Sequence, residues 1–534
     1  MTRLRAITAQ NERWWTLGAM CFALFMIMLD NTVVNVALPS IQDNLNASLS
    51  GLEWTINAYT LTFAVLLVTG GRLGDIFGRR RAFLTGVVFF ALSSATAGFA
   101  PSAASLVASR AVQGIGAALM MPATLSIITN AFPPHERGKA IGTWAGVSAL
   151  ALAIGPVVGG FLTEHVSWRA IFFLNIPVAA AAVIVTLAAA RESRDQTVPR
   201  TVDYKGVLTL TLGIGALVLA LVEGNSWGWG SPQILSLFAL AVTGLVTFNF
   251  AELRARNPMI EYRFFRSRTY LATNGVAFVV SFAMLAMFFF MALYMQNILD
   301  YSPLEAGVRF LPTTLVIIVV APIAGRLTDR IGAKLPITTG LTLVAIALFL
   351  QSRITVDSGY SELLPTFSLM GLGIGLVMSP MSTAAMNAVS EAKAGAASGI
   401  LSMSRMVGGT FGVAAVGALF QSLSDSKLAS KLDGVNLTAA QKTWFADNLG
   451  SGDVGSHIQQ LPPETGRRVS EALHETFISS LTASMRLSAV VALVGAGIAF
   501  FGIERVRQRR AQPDLARDLG RAGPGQPELP GKPA

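Results

Sequence analysis

Few ionisable side chains occur inside the apolar stretches of this sequence, and they are the first candidates for chemistry. Asp30 lies in "LDNTVVNVALPS", Arg110 in "SRAVQGIGAA" and Arg405 in "SMSRMVGGTFG". If these stretches cross a lipid bilayer, each ionisable group costs roughly 2.5–3.5 kcal/mol on insertion scales. Such a cost is tolerated mainly where the group has a function, so these three residues are predicted to be functional.

Asp30 is the predicted proton carrier. Burial disfavours a charged carboxylate and a nearby cation favours it, so a carboxyl group balanced between the two can bind and release a proton. Asn31 and Asn35 share a helical face beside it and could line a polar cavity. The alternative is that Asp30 is a structural cap or an ion pair at the outer end of its helix.

The two arginines are predicted to act through neighbouring groups. Arg110 cannot lose its proton, so it needs a carboxylate, backbone carbonyls or water nearby. Gln113 lies one turn further on. The functional interpretation is that Arg110 tunes a neighbouring carboxylate during proton transfer, and the alternative is a static contact between helices. The same two interpretations hold for Arg405.

Methionines form a second pattern, because flexible thioethers suit a surface that accepts varied apolar ligands. Ordinary membrane packing is the alternative explanation. The residues predicted to line a substrate cavity are Asn31, Asn35, Gln113, Met291 and Arg405.

A charged motif occurs twice, as "GRLGDIFGRR" from residue 71 and "GRLTDRIGAK" from residue 325. Each copy ends an apolar stretch and contains a matching carboxylate, Asp75 or Asp329. A carboxylate at a helix end can pair with arginines and with the positive end of a neighbouring helix. The repeat predicts two equivalent halves, a plan typical of transporters.

Composition indicates the elements that position these residues. Hydrophobic residues make up 52% of the 534 residues and charged residues 13%, with a mean hydropathy of +0.56. Soluble domains carry about 25% charged residues. A membrane-spanning helix needs about 20 apolar residues, and about fourteen such runs occur. They lie at approximately 15–38, 54–72, 82–100, 104–128, 140–163, 170–190, 206–223, 233–251, 270–298, 308–328, 335–352, 363–386, 396–421 and 484–503. The fold class predicted is an all-α integral membrane protein in a lipid bilayer.

These runs predict the domain organisation. Residues 1–14 are a cytoplasmic N-terminus, 15–190 the first six-helix bundle and 206–251 two inserted transmembrane helices. Residues 270–503 form the second six-helix bundle with a long external loop at 422–483. The Pro/Gly-rich residues 511–534 are predicted to be a disordered cytoplasmic tail.

Charge gives the orientation. About 29 of the 40 basic residues fall on the side that holds both termini, and about three in the short loops opposite, so the basic side is predicted to be cytoplasmic. The net charge of +10 therefore reflects topology in the cell membrane, and no nucleic-acid partner is expected.

Enzymatic and metal sites are not indicated. The four histidines are scattered outside the apolar runs, and no phosphate loop of the G-x-x-x-x-G-K type occurs. No metal site and no cofactor are predicted. The single cysteine, Cys21, excludes a disulfide within the chain.

The fifth apolar run has a face of small residues at spacings of three and four. Gly155 with Pro156, and Gly159 with Gly160, predict a kink and very close helix packing. Small faces are common in membrane helices, so general packing is the alternative.

Several of these motifs together resemble a known family, the major facilitator superfamily. "GRLGDIFGRR" resembles its signature loop after the second helix, "LVASRAVQGIGAA" its fourth-helix motif and "AIGPVVGG" its fifth-helix antiporter motif. "LDNTVVNVALPSI" and "WRAIFFLNIP", with fourteen spans, resemble its drug:proton antiporter branch, which includes multidrug efflux pumps.

The resemblance implies two six-helix bundles around a central cavity, two inserted helices, and alternating access that couples proton import to drug export. It implies that Asp75 and Arg79 help hold a cytoplasmic gate, that Arg110 serves proton coupling, and that Gly155 with Pro156 sets bundle packing. Asp329 is the gate residue of the second half. That half has Ala333 and Lys334 where a basic pair is usual, which predicts a weaker gate.

Three functions remain open at this point. The first is a monomeric, proton-coupled antiporter that exports small hydrophobic or amphipathic compounds such as drugs, antibiotics and biocides. The second is a dedicated exporter of one metabolite, peptide or lipid on the same fold. The third is a non-transporting membrane sensor or scaffold that uses the segment 422–483.

Overall fold

The computed structural model describes residues 7–8, 10–46, 49–196, 201–255, 258, 260, 262–356, 358–433, 435, 437–447 and 457–504. The predicted tail at 511–534 lies outside the described residues. Within them the regular structure is helical, with no strand. The helices are α1 (Glu12–Leu45), α2 (Leu49–Phe77), α3 (Arg79–Gly98), α4 (Ala103–Ala131), α5 (Arg137–His165), α6 (Ala170–Phe173), α7 (Asn175–Ala189), α8 (Tyr204–Trp227), α9 (Pro232–Arg254), α10 (Arg268–Asn297), α11 (Pro303–Arg309), α12 (Leu311–Ile331), α13 (Lys334–Gln351), α14 (Tyr360–Asn387), α15 (Ala394–Lys431), α16 (Ala439–Asp447) and α17 (Pro463–Gly502).

Fourteen of the described helical stretches are long and apolar enough to cross a membrane, which confirms the predicted number. Three of them join a short helix to a longer one: α6 with α7, α11 with α12, and the 3-10 helix Glu391–Lys393 with α15. Helix α16 is not among the fourteen.

The two halves repeat one packing pattern. In the first half α4 packs against α2 and α3, and α1 packs against α5 and α7. In the second half α14 packs against α12 and α13, and α10 packs against α15 and α17. Across the interface α5 packs against α12, and α2 packs against α15. The equivalent pairs are therefore α1 and α10, α2 and α12, α3 and α13, α4 and α14, and α5 and α15.

The inserted helices lie beside this doubled core. The side chain of Asp203 accepts hydrogen bonds from the backbone of Lys205 and Gly206, which caps the start of α8. Helix α8 packs against α2 and α15, while α9 packs mainly against α8. Much of the apolar surface of α9 is exposed, as suits a helix that faces lipid.

The segment 422–483 is largely helical where it is described. Helix α15 continues to Lys431, and α17 begins at Pro463. The hydroxyls of Ser424 and Ser480 lie 3.1 Å apart and join the two extensions. Hydropathy alone predicts a polar loop here. The helices continue beyond the apolar runs, but only a narrow face of each extension is buried, so most of its residues are polar.

Candidate functional site

Asp30 lies at the centre of a buried polar network within the first half. Its side chain, on α1, is 2% exposed. Arg110 Nη1 donates to Asp30 Oδ2 at 2.5 Å, and Gln113 Nε2 donates to Asp30 Oδ1 at 2.9 Å. Asn175 Nδ2 donates to the same Oδ1 at 3.1 Å. The carboxylate therefore receives three hydrogen bonds, and one donor carries a full positive charge.

Arg110 is held rigidly by its neighbours. Its Nη1 also donates to Gln113 Oε1 at 2.7 Å, one turn along α4, and its Nε donates to the Thr55 carbonyl at 3.1 Å. The guanidinium carbon lies 4.3 Å from the centre of the Tyr59 ring, within range of a cation–π interaction. Because Arg110 is 1% exposed, its charge is balanced by protein groups rather than by water.

The network extends through α7 to α3. Asn175 Nδ2 donates a second hydrogen bond to Ser94 Oγ at 3.0 Å, and the Ser94 hydroxyl donates to the Phe172 carbonyl at 2.8 Å. Sequence reasoning missed both Asn175 and Ser94. Asn175 lies within "WRAIFFLNIP", where a polar residue in an apolar run was an available signal.

The net charge of this network can change at one group, the carboxyl of Asp30. A guanidinium cannot give up its charge, so of these two groups only the Asp30 carboxyl could take up a proton. Protonation of Asp30 would remove the ion pair and leave the guanidinium with neutral acceptors. Since the site is desolvated, a guanidinium left there without its carboxylate would be costly. The same contacts also fit the alternative interpretation, in which Asp30 and Arg110 form a permanent structural ion pair.

Asp75 forms a contact between the halves, here named the first latch. It accepts hydrogen bonds from the backbone N–H of Gly395 at 3.0 Å and of Ala396 at 2.7 Å, at the start of α15. Arg79 donates to it from Nε at 3.0 Å and from Nη2 at 2.7 Å. Arg79 Nη2 also donates to the carbonyls of Glu391 and Ala392. Both charged side chains are almost completely buried.

Asp329 forms the second latch, with the same backbone geometry. It accepts hydrogen bonds from the N–H groups of Gly138 at 2.9 Å and Lys139 at 3.0 Å, at the start of α5. A helix N-terminus favours a carboxylate because its first N–H groups are unpaired and its dipole is positive there. Ala333 occupies the position that matches Arg79, so this latch lacks the buried arginine.

Arg137 also joins the halves, and sequence reasoning counted it only as a basic residue. Its Nη1 donates to Asn387 Oδ1 at 3.0 Å, and its guanidinium forms an ion pair with Glu391. Its Nε donates to the Thr129 carbonyl at 3.0 Å, which anchors it to α4. The side chain is buried, so this contact completes the junction between the latches.

The small-residue face of α5 has a partner on α1. A Cβ atom on Gly155 would overlap the side chain of Thr32, and one on Gly159 would lie 3.0 Å from the Val33 carbonyl oxygen. Gly160 is less confined, with its nearest neighbour, Val36, 3.8 Å away. Helix α5 continues without interruption through Pro156.

The remaining cavity candidates make no described hydrogen bond to Asp30, although Asn31 lies beside Tyr59, whose ring faces Arg110. Asn31 Nδ2 donates to the Ile27 carbonyl at 2.9 Å, and Asn35 is exposed. Met291 is fully buried in the second half, among core side chains. Their predicted role in binding cargo stays a prediction. Across the part of the chain that the structure describes, no group of His, Cys, Asp and Glu side chains is arranged to hold a metal ion.

Comparisons with known proteins agree with this architecture. Residues 20–413 match the model of the Major Facilitator Superfamily. The chain is 35% identical over 507 residues to the tetracenomycin C resistance and export protein of Streptomyces glaucescens, covering 95% of this chain and 93% of that protein. It is 32% identical to the multidrug transporter protein MdtP of Bacillus subtilis, covering 89% of each chain.

A solved structure shows the same fold at low sequence identity. The proton:xylose symporter XylE superposes with a TM-score of 0.59 at 12% identity, covering 93% of this chain and 97% of that chain. The packing of two equivalent halves, the fourteen spans and the family match lead to one conclusion. The chain is a multi-pass membrane protein that belongs to the Major Facilitator Superfamily, and it is a transporter rather than an enzyme.

Proposed function

We propose that this protein is a proton-coupled antiporter that exports small hydrophobic or amphipathic compounds, including drugs, antibiotics and biocides. The buried contact of Asp30 with Arg110, Gln113 and Asn175 is the observation that supports proton coupling most strongly. The names of two relatives, a resistance and export protein and a multidrug transporter, support drug-like cargo.

The proposed mechanism has two moving halves, residues 15–190 and residues 270–503. In this structure the two latches and Arg137 tie the halves together at the end where α5 and α15 begin. Breaking these contacts would open that end. Protonation of Asp30 would weaken its hold on Arg110 and so bias the exchange between the two states.

The proton gradient supplies enough energy for this cycle. Moving one charge through the membrane potential yields about 2.3 kcal/mol per 100 mV. Each pH unit adds about 1.4 kcal/mol. One or two protons could therefore drive roughly a hundredfold gradient of cargo.

The protein lies in the cell membrane with its N- and C-termini in the cytoplasm and acts as a monomer. The proton is the coupling ion, no cofactor takes part, and no nucleic acid binds.

Proteoliposomes test this function directly. Wild-type protein should move a hydrophobic dye in response to an imposed pH gradient, and a protonophore should stop the movement. Asp30→Asn should abolish the response while the protein still inserts and purifies normally. Asp300→Asn is a matched control, because Asp300 is exposed and its φ of 52° suits asparagine.

Each result has a clear meaning. Dye movement that ignores both the pH difference and the voltage would contradict proton coupling. Unchanged coupling in Asp30→Asn would remove Asp30 from the proton path. Transport of one natural compound and no others across a panel would favour the dedicated exporter instead.

A further inference from the structure

Arg405 lies on the face of α15 that looks towards the first half. Ser398, seven residues earlier, donates from Oγ to the Pro122 carbonyl of α4 at 2.8 Å. Seven residues are about two helical turns, so Arg405 shares that face and lies about 10 Å further from the first latch. It is therefore placed between the halves, where the proposed cargo path runs.

Contacts of the neighbouring faces of α15 agree with an Arg405 side chain that points towards the first half. Ser404 Oγ donates to Asn274 Oδ1 on α10 at 3.0 Å, and Gly408 packs against Phe278 of the same helix. On the other side Gly399 packs against α2. The side chain of Arg405 projects between these two contacts.

Arg405 has no counterion in the described part of the chain. It forms no hydrogen bond, ion pair or ring contact there, and its buried Nε has no partner. The rest of the side chain is partly exposed. Arg110 and Arg79 differ in this respect, since each is held by a carboxylate and by at least one backbone carbonyl.

The charge of Arg405 is therefore not balanced by a carboxylate among the described residues. Asp30 and Arg110 neutralise each other, whereas the charge of Arg405 remains. A guanidinium is a fork of donors that matches a carboxylate in two parallel hydrogen bonds. An anion that reached it would gain this pairing in a largely apolar surrounding, where charge interactions are strong.

We propose that Arg405 binds the ionised acidic group of the cargo, a carboxylate or phenolate, so that the protein prefers amphipathic anions. This inference rests on the proposed export function and specifies its cargo. It assigns Arg405 a role in specificity, distinct from the proton coupling assigned to Asp30.

Binding to three probes with one apolar body tests the proposal. The probes are pyrenebutanoate, its neutral methyl ester and the pyrenebutyl trimethylammonium cation. The protein is held in nanodiscs of phosphatidylcholine alone, with empty nanodiscs as background, so anionic lipid does not compete. Wild-type protein should bind the acid about tenfold more tightly than the ester, equivalent to about 1.4 kcal/mol. The cation should bind most weakly.

Variants then assign the preference to one side chain. Arg405→Gln should remove the tenfold advantage of the acid and change ester binding less than twofold. Arg405→Lys should keep part of the preference for the acid, because the positive charge remains but the paired N–H donors of the guanidinium are lost. Arg486→Gln is the matched control, since Arg486 is an exposed arginine of α17.

Equal binding of acid and ester by wild-type protein, or a preference for the cation, would overturn the proposal. So would a loss of affinity for all three probes in Arg405→Gln, which would indicate a structural role or a lipid phosphate as the partner. The wild-type ranking needs no variant to fold. Because binding is measured without a gradient, failure of proton-driven export would leave this test unaffected.

Discussion

The two halves share one packing pattern but differ at their centres. Gly114 of α4 packs against the backbone of α2, and Gly371 of α14 packs against α12 in the same way. In this register Arg110 corresponds to Phe367, four residues before each glycine. The first half therefore has a buried ion pair where the second half has an aromatic ring.

The aromatic version shows that the fold does not require charge at this position. Phe367 is fully buried, and its ring centre lies 5.1 Å from that of Phe310. Replacing a buried ion pair by apolar residues is often neutral or stabilising. The charged pair in the first half is thus better explained by function than by stability.

The two latches also share their backbone geometry but differ in one charged side chain. Both carboxylates receive two backbone hydrogen bonds from a helix start of the opposite half. Only Asp75 also binds a buried arginine, and Asp329 is half-buried beside Ala333. Doubling of the fold accounts for the shared geometry, and one side chain accounts for the difference.

The largest expected effect is on stability, at the equivalent positions Arg110 and Phe367. Arg110→Met should lower the free energy of unfolding by about 3–5 kcal/mol, because it leaves the Asp30 carboxylate buried without its cation. Phe367→Leu should cost about 1 kcal/mol. The double variant Asp30→Asn/Arg110→Met should recover more than half of the loss. Denaturant unfolding in detergent measures all three, and equal costs for the two single variants would contradict the comparison.

The glycines of α5 and α15 should differ in whether they can be rescued. Gly155→Ala and Gly412→Ala should each cost about 1–3 kcal/mol by overpacking. The new Cβ meets the side chain of Thr32 in the first case and the backbone of Phe282 in the second. Adding Thr32→Ala removes Oγ1, the atom with the worst overlap, but keeps Cβ at 2.8 Å from the new Cβ, so it should restore part of the stability of Gly155→Ala. It should not rescue Gly412→Ala.

Thermal unfolding of the purified variants reports this difference. Gly18→Ala serves as the control, because a Cβ atom there meets nothing within 4 Å. Rescue of both variants by truncating the facing side chain would show that the two interfaces are alike.

Turnover should separate the two latches. Asp75→Asn should slow transport about tenfold, equivalent to about 1.4 kcal/mol, while the apparent affinity for cargo changes less than twofold. Asp329→Asn should slow transport only about twofold, since it breaks fewer contacts of a buried charge. Initial rates over a range of cargo concentrations distinguish the two parameters. A loss of affinity with normal turnover would contradict the latch interpretation.

The smallest expected effect is a dependence on salt. At higher ionic strength the half-buried second latch should weaken more than the buried first latch, because exposed charges are screened more strongly. Turnover of Asp75→Asn, which retains only the second latch, should change by less than twofold between about 0.05 and 0.5 M salt. Turnover of Asp329→Asn should change less still over the same range of salt. A larger change in Asp329→Asn than in Asp75→Asn would contradict this difference in burial.

The sequence alone determined the membrane class, the number of spans and the doubling of the fold. These properties follow from local composition and from a motif that occurs twice, so they need no knowledge of contacts. It also selected Asp30 and Arg110 as candidates, because a charge within an apolar run is conspicuous wherever the run packs, and Asp75, because its motif occurs twice.

Only the tertiary structure decided which groups meet. Asp30 contacts Arg110 across 80 residues of chain and Asn175 across 145, while Asp75 reaches Gly395 across 320. Helix packing determines which of these distant groups meet, and neither the sequence around Asn175 nor a backbone N–H shows what it will contact. The unbalanced charge of Arg405 depends on every neighbouring helix, so it too could be seen only once the helices were assembled.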